Sequence, residues 1–240
     1  MLFFIRNEVS LNMKKLNFVL SCLGVFLIVC FSGCRSAGDK KAEYGEGTVV
    51  YKITYPDSMN YGMKSAFFPK EIVLIFKKEK AAFIASGGMG MIQMVNLLDH
   101  QNKKYVSLLI DQLRANFGCK LTPEEIASNE NSEKLDFSET KDTKIIAGIT
   151  CNKAIAKNVD TGTQTEIYYD KNIKFSYGNS PFHAMDFLFL EYTHTINHLT
   201  MKLEATSVDL TTPVDTGLFQ IRGDYIWVSQ QQLFDRLNQL

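Results

Sequence analysis

The chain has 240 residues, of which 45% are hydrophobic and 12% aromatic, so it can build the core of one domain or at most two. Its first 33 residues hold three basic residues and one acidic residue, which leaves 23 basic and 25 acidic residues in the remainder. That net charge of −2 provides no basic surface for nucleic acid, so no nucleic-acid partner is predicted.

The N-terminal segment has the order of a bacterial signal peptide. Lys14 and Lys15 precede an apolar stretch of 16 residues at 16–31. A membrane-spanning helix needs about 20 residues, so this length suits the apolar region of a signal peptide. We predict that residues 1–33 are a signal peptide, in which residues 1–12 are either an upstream start-site extension or a long basic region. An ordinary signal peptide or a short anchor helix is the alternative.

A lipid-attachment sequence follows this segment directly. Residues 31–34 read Phe-Ser-Gly-Cys and resemble the lipobox of bacterial lipoproteins, in which small residues admit the peptidase and the cysteine thiol takes diacylglycerol. The resemblance implies lipidation of Cys34 and a periplasm-facing location in the cell envelope. Arg35 is not the Asp that marks inner-membrane retention, which favours the outer membrane. Residues 34–46 are then the lipidated cysteine with a polar tether, and residues 47–240 a single domain.

The domain has the pattern of short strands joined by hairpins. From residue 47, apolar and polar residues alternate with the period of two of a half-buried strand. Residues 72–76 and 81–85 flank a charged tip, and residues 91–98 and 105–110 flank a second polar tip, so each pair predicts a hairpin. Further strands are predicted at 134–140, 150–157, 163–170 and 199–208. The glycine-rich residues 86–90 predict a turn, because no helix and no Lys-Ser/Thr ending of a phosphate loop follows them.

Three segments have helix signals. Thr122, Pro123 and Glu125 form the start signal of a short helix, with a hydroxyl cap, an early proline and a capping-box glutamate. Residues 181–192 are predicted as a second short helix, and residues 229–240 as an amphipathic one. The sequence therefore predicts an antiparallel α+β domain, without the alternation that a doubly wound sheet requires.

Two cysteines remain in the mature chain besides Cys34. Cys119 and Cys151 can pair as a disulfide in an oxidising compartment, or they can be two buried reduced thiols. Sequence spacing does not decide between the two, since pairing depends on the distance between their Cα atoms.

Three short motifs carry a resemblance to a known family. They are residues 146–154 (Ile-Ala-Gly-Ile-Thr-Cys-Asn-Lys-Ala), residues 166–170 (Glu-Ile-Tyr-Tyr-Asp), and Leu-Phe-Gln-Ile at 218–221 followed by Tyr225. Over roughly residues 45–228 they resemble uncharacterised envelope lipoproteins that are themselves similar to the LolA/LolB lipoprotein carriers. The resemblance implies a curved antiparallel sheet, an incomplete β-barrel, with two or three helices packed on its concave side.

Such a fold implies a ligand cavity that shields acyl chains from water. Its candidate lining residues are Met89, Met91, Met94, Phe182, Met185, Phe187, Phe189 and Met201. Methionine suits a deformable apolar lining, although the same residues can simply fill a solid core. The predicted function is a membrane-anchored lipoprotein that binds a lipid or an acylated protein. The alternative is a structural or interaction lipoprotein with a filled core, which docks another envelope component.

No catalytic constellation is found in the sequence. His194 and His198 have the i, i+4 spacing of helical zinc ligands, but the threonines between them favour a strand. Serine nucleophile motifs are absent from the sequence, and no histidine signal accompanies Cys151. The sequence therefore predicts a non-enzyme that uses no metal and no cofactor.

Overall fold

The computed structural model describes residues 43–56, 68–196 and 199–238. The predicted signal segment, Cys34 and most of the tether lie outside these residues, as do His198 and Leu240. From residue 42 onward the chain forms one compact unit.

Thirteen strands are present in the described part of the chain. They are β1 (Glu43–Tyr44), β2 (Glu46–Thr54), β3 (Glu71–Lys77), β4 (Lys80–Gly87), β5 (Ile92–Asp99), β6 (Lys104–Asp111), β7 (Phe117–Lys120), β8 (Leu135–Ile146), β9 (Ile149–Asn158), β10 (Gln164–Lys174), β11 (Phe187–Ile196), β12 (Leu199–Asp209) and β13 (Ile226–Trp227). The described helices are α1 (Pro123–Glu130) and α2 (Gln230–Asn238), and three 3-10 turns lie at Gly88–Gly90, Pro181–Ala184 and Thr216–Phe219.

These strands form one open, curved sheet in the order β13-β7-β6-β5-β4-β3-β2-β12-β11-β10-β9-β8, with β1 beside β10. The described pairs are antiparallel except for β1 with β10 and β13 with β7. The predicted sheet-rich α+β class is therefore confirmed. The sheet begins at Glu43, slightly before the boundary that we predicted at residue 47.

Most of the confirmed sequence predictions concern hairpins. β3 pairs with β4 and β5 pairs with β6 at the predicted tips, because alternating apolar residues on both arms bury the same face. The turn between β8 and β9 is two residues long, and Ala147 and Gly148 both have a positive φ (47° and 81°). Such a tight turn matches the right-handed twist of the two strands.

The prediction of a helix over residues 181–192 is wrong. Ser180 does cap a turn, since its hydroxyl oxygen accepts from the N–H of Phe182, but the turn ends at Ala184. β11 starts at Phe187, and its residues Leu188, Phe189 and Leu190 are fully buried. Burial from both sides masks the period of two, and a short continuous apolar run does not distinguish a buried strand from a helix.

The capping prediction for α1 is confirmed. The Thr122 side chain accepts from the N–H of Glu125, while the Glu125 carboxylate accepts from the N–H of Thr122 (2.7 Å). Ile126 of α1 is buried in the main core, and Leu233 of α2 is buried against Leu109, Phe117 and Cys119. Both helices thus pack on the sheet face that carries the main core, which we call the inner face. The opposite, outer face carries a smaller buried cluster of Ala82, Leu97 and Leu108.

Candidate functional site

Cross-strand rows show how the inner face is covered. Phe76, Ala81, Leu98 and Tyr105 are successive partners across β3–β6, and all four are buried in the main core. One row further along, the partners are Leu74, Phe83, Asn96 and Ser107, of which only Leu74 is fully buried. Coverage of the inner face therefore becomes incomplete towards the β4–β5 turn.

A set of half-buried apolar side chains lies where this coverage is incomplete, and we call it the trough. Its members are Ile72, Phe83, Ala85, Ile92 and Met94. Ile72 and Phe83 pack against the main core, while Ile92 and Met94 pack against the smaller cluster that includes Leu233 of α2. The trough therefore joins two separate clusters along the inner surface of β3, β4 and β5.

One polar pair lies beside the trough. The Ser107 hydroxyl donates to the Asn96 Oδ1 at 2.7 Å, across β5 and β6. This hydrogen bond gives the Ser107 hydroxyl and the Asn96 side-chain oxygen a partner, which lowers the cost of placing them next to an apolar ligand. Sequence reasoning did not select Ile72, Phe83 or Ala85 for the site, although the alternation of both hairpin arms places them on one face.

The predicted cavity residues divide into two groups. Phe182, Met185 and Phe189 are buried in the main core, and Phe187 and Met201 are partly buried against it. These five residues belong to the filled half of the molecule.

The other three candidates lie at or near the trough. Met94 is a member of it, Met91 is half-buried directly before β5, and Met89 is 86% exposed in the β4–β5 turn. Met89 has φ 58°, a left-handed conformation that costs a non-glycine residue about 1 kcal/mol or more. The turn thus holds the apolar Met89 side chain in solvent at the end of the trough, in a backbone conformation that is unfavourable for methionine.

Aromatic rings fill the main core. Tyr177 stacks on Phe189 at 4.3 Å between ring centroids, and Phe182 lies edge-on to Phe189 at 5.7 Å. The Tyr51 hydroxyl donates to the Phe189 carbonyl oxygen (2.6 Å), and the Phe189 N–H donates to the Tyr177 hydroxyl oxygen (2.9 Å). Burial raises the pKa of both tyrosines well above the usual range, so both hydroxyls stay protonated donors.

The two mature-chain cysteines are free and buried in different clusters. Cys119 lies on β7 beside the α2 cluster, and Cys151 lies on β9 in the main core. The structure therefore holds the two reduced thiols of the alternative that we left open. Burial raises the pKa of the Cys151 thiol to about 11, which keeps it protonated and weakly nucleophilic at neutral pH.

His194 lies on strand β11, so the helical geometry that would align it with His198 does not hold. Within the described ranges, no group of three or more His, Cys, Asp or Glu side chains is placed to hold a metal ion. Burial lowers the pKa of His194 to about 4, so its imidazole is neutral at physiological pH.

On the face opposite the main core, β11 carries a charge network centred on Glu191. This carboxylate is 7% exposed and accepts hydrogen bonds from the ammonium groups of Lys144 and Lys202, the latter at 2.8 Å. Burial alone would raise the pKa of Glu191, but the two lysines outweigh it and the pKa is lowered overall.

This lowered pKa predicts a loss of stability in acid. A carboxylate whose folded pKa is depressed contributes stability above its unfolded pKa, and that contribution is lost as pH falls through the folded value. We expect the urea midpoint to fall between pH 6 and pH 3, and to fall less in Glu191→Gln. Glu204→Gln, at the opposing exposed position on β12, is the control and should retain the wild-type slope. Identical slopes for wild type and Glu191→Gln would contradict the prediction.

Comparison with known proteins gives no family assignment. No family model and no curated protein matches the chain. Two solved structures of PNGF-II, in space groups C2 and P21, are similar to it with a TM-score of 0.48, at 15% and 17% identity. The match covers 79% and 80% of this chain but only 32% and 33% of the PNGF-II chains, so this chain spans about a third of their length.

A likeness this slight carries no argument about function. The fold defines the class of this protein as a sheet-rich α+β domain with an open, curved sheet. No described helix has the length and apolar character to cross a bilayer.

Proposed function

We propose that this chain is a non-catalytic lipoprotein of the cell envelope that binds an apolar ligand, a lipid or an acylated protein, along the trough. Under this proposal, lipid on Cys34 anchors the domain facing the periplasm, with the outer membrane favoured. The curved sheet then serves as an incomplete barrel of the LolA/LolB kind.

One observation carries this proposal: the five apolar side chains of the trough are half-buried on the inner face, where the rest of the core is closed. Apolar surface gains about 25 cal/mol per Å² when it leaves water, and each buried CH₂ of a ligand adds about 0.8 kcal/mol. An acyl chain lying along β3–β5 would cover the apolar surface of the trough that the protein itself leaves exposed to water. Exposed Met89, in the β4–β5 turn, extends this surface to the end of the sheet.

The test is uptake of a fluorescent acyl probe, dansyl-undecanoic acid, by the mature protein. Met94→Lys places a charge in the trough, and we expect it to weaken uptake at least tenfold, because a buried unpaired ammonium is costly. Gln93→Lys is the matched control, since the adjacent residue lies on the outer face, and it should leave uptake unchanged. Native mass spectrometry should also find fatty acid or phospholipid on the wild-type protein.

Two outcomes would contradict carriage in the trough. One is that the wild-type protein is recovered empty and takes up no acyl probe. The other is equal uptake by Met94→Lys and Gln93→Lys, provided that thermal melts show both variants to be folded.

The alternative is a structural or interaction lipoprotein that docks another envelope component. It is supported by the filled aromatic core and by two neighbouring turns with exposed apolar tips, Met89 (86% exposed) and Leu113 (74%). The turns contact each other, since the Gln112 N–H donates to the Met91 carbonyl oxygen at 3.1 Å. A crosslinker placed at residue 113 should trap a defined partner in cells if this alternative holds.

A further inference from the structure

Two neighbouring turns lie at the end of the sheet where the trough opens, and we call their exposed residues the turn surface. Met89 in the β4–β5 turn and Leu113 in the β6–β7 turn are mostly exposed, and Met91 is half-buried where the turns touch. The Gln112 side-chain amide also donates to the Gly90 carbonyl oxygen (3.4 Å), so the turns are bonded twice. Single exposed apolar residues are normal, but adjacent ones on one surface mark a contact site.

The two turns and the strands that they join carry few charges. Residues 81–98 contain no charged residue, and residues 105–119 contain only Asp111 and Arg114. The Asp111 carboxylate is buried and accepts a hydrogen bond from the Leu113 N–H at 2.9 Å, while the Arg114 guanidinium is exposed and lies 4.0 Å from that carboxylate. Apolar tips beside one exposed cation match the chemistry of a bilayer, where phosphate headgroups cover hydrocarbon.

The backbone of the β4–β5 turn favours residues other than methionine at its tip. Met89 has a positive φ (58°) and lies between Gly88 (φ 55°) and Gly90 (φ 88°). Glycine, asparagine and aspartate adopt this left-handed conformation more readily than methionine does. A strained residue that the fold retains points to a role at that position, and here the residue keeps an apolar side chain in solvent.

A bilayer fits this surface better than a folded partner does. A stable protein interface covers about 800 Å² of each partner and needs complementary shapes. The turn surface instead presents separate side chains on two turns, and a fluid bilayer takes up such side chains without a matching shape. The trough also ends at Met89, so a lipid that leaves the bilayer here would meet its apolar surface directly.

We propose that the turn surface docks this domain on a phospholipid bilayer, with Met89 and Leu113 among the acyl chains and Arg114 at the level of the phosphates. The contact places the open end of the trough against the bilayer. It rests on the proposed function only for the further step, in which a lipid passes into the trough. Docking itself requires neither the trough nor the anchor on Cys34.

Binding of residues 35–240 to lipid vesicles tests the contact, because this chain contains the whole compact unit but lacks the lipidated cysteine. A nitrobenzoxadiazole label on Leu113→Cys reports insertion, and the two remaining cysteines are buried. With vesicles of phosphatidylethanolamine and phosphatidylglycerol, we expect the emission of the label to increase and shift to the blue. Lipids brominated on their acyl chains should quench it.

Met89→Asp in the labelled chain should weaken vesicle binding roughly tenfold or more, because one apolar side chain no longer leaves water. Aspartate adopts the left-handed conformation more readily than methionine, so this variant should fold. Met89→Leu keeps an apolar tip and should bind within about threefold of the labelled parent. Ile145→Asp is the matched control, since Ile145 is 72% exposed on β8, at the other edge of the sheet, and it should leave binding unchanged.

Docking on a bilayer is overturned if the label does not respond to vesicles, or if Met89→Asp and Ile145→Asp bind equally well. A protein crosslinked in cells through residue 113, with no response to vesicles, would assign the turn surface to a protein partner instead. Met94→Lys separates this inference from the proposed function, since it should lose uptake of the acyl probe but still bind vesicles. Normal uptake without vesicle binding would therefore refute docking alone.

Discussion

A Cys34→Ser variant of the full chain, expressed in a bacterium with an outer membrane, is expected to lose lipid attachment completely. The serine hydroxyl does not form the thioether that holds diacylglycerol, so the variant should incorporate no radiolabelled palmitate. It should also remain unprocessed at this site. A single acyl chain gives only marginal membrane binding, so stable anchoring needs several chains. Because all of these chains are attached through Cys34, the substitution removes the whole anchor at once.

Cys30→Ser is the matched control for this experiment. It removes a cysteine of the apolar stretch that precedes Cys34 but leaves the Phe-Ser-Gly-Cys sequence intact. We expect this variant to be labelled, processed and recovered with membranes like the wild-type chain. Normal processing and membrane recovery of Cys34→Ser would refute the anchor, and the proposed setting of the domain with it.

Replacing Phe189 with alanine is expected to lower the free energy of unfolding by about 3–5 kcal/mol, the range for large aromatic side chains in a core. The Phe189 ring is fully buried, stacks on Tyr177 and meets Phe182 and Tyr192 edge-on. Removing it leaves a cavity that three rings cannot fill without leaving their preferred geometry. Urea unfolding followed by near-UV circular dichroism measures the change.

Phe187→Ala is the control for this core prediction. Phe187 lies on the same strand but is only half-buried, with a tilted contact to Tyr169 at 5.2 Å. Its loss should cost clearly less than the loss of Phe189. Equal destabilisation of the two variants would show that the aromatic core around Phe189 is not what stabilises the fold. A nearly neutral Phe189→Ala would show the same.

The filled core and the trough assign different roles to residues that look alike in the sequence. Phe189 and Met94 were both predicted to line a cavity, yet one is enclosed by rings and the other borders a half-open surface. Their chemistry is similar, so composition does not separate them. What separates them is the set of side chains that covers each one: the rings of Tyr177 and Phe182 enclose Phe189, whereas Met94 packs against the cluster that includes Leu233.

Local patterns predicted much of this fold because their causes are local. The alternation in β2 to β6, the capping box at Thr122 and the turn at residues 86–90 all depend on residues within a few positions of each other. Segments that depend on distant partners were missed, such as β7, which is four residues long and pairs with β6 and β13. The helix predicted at 181–192 failed for the same reason, since burial on both faces of β11 hid its period.

Two features of the domain were predicted from the sequence and are confirmed by the structure: its sheet-rich α+β class and the positions of its β3–β4 and β5–β6 hairpins. Each of these follows from residue types at short spacing, where side-chain sterics and hydrogen bonding act within one turn or one strand pair. The separation of Cys119 from Cys151 and the set of methionines that border the trough could not be predicted from the sequence. Those outcomes depend on the curvature of the sheet, which brings together strands that are far apart in the chain.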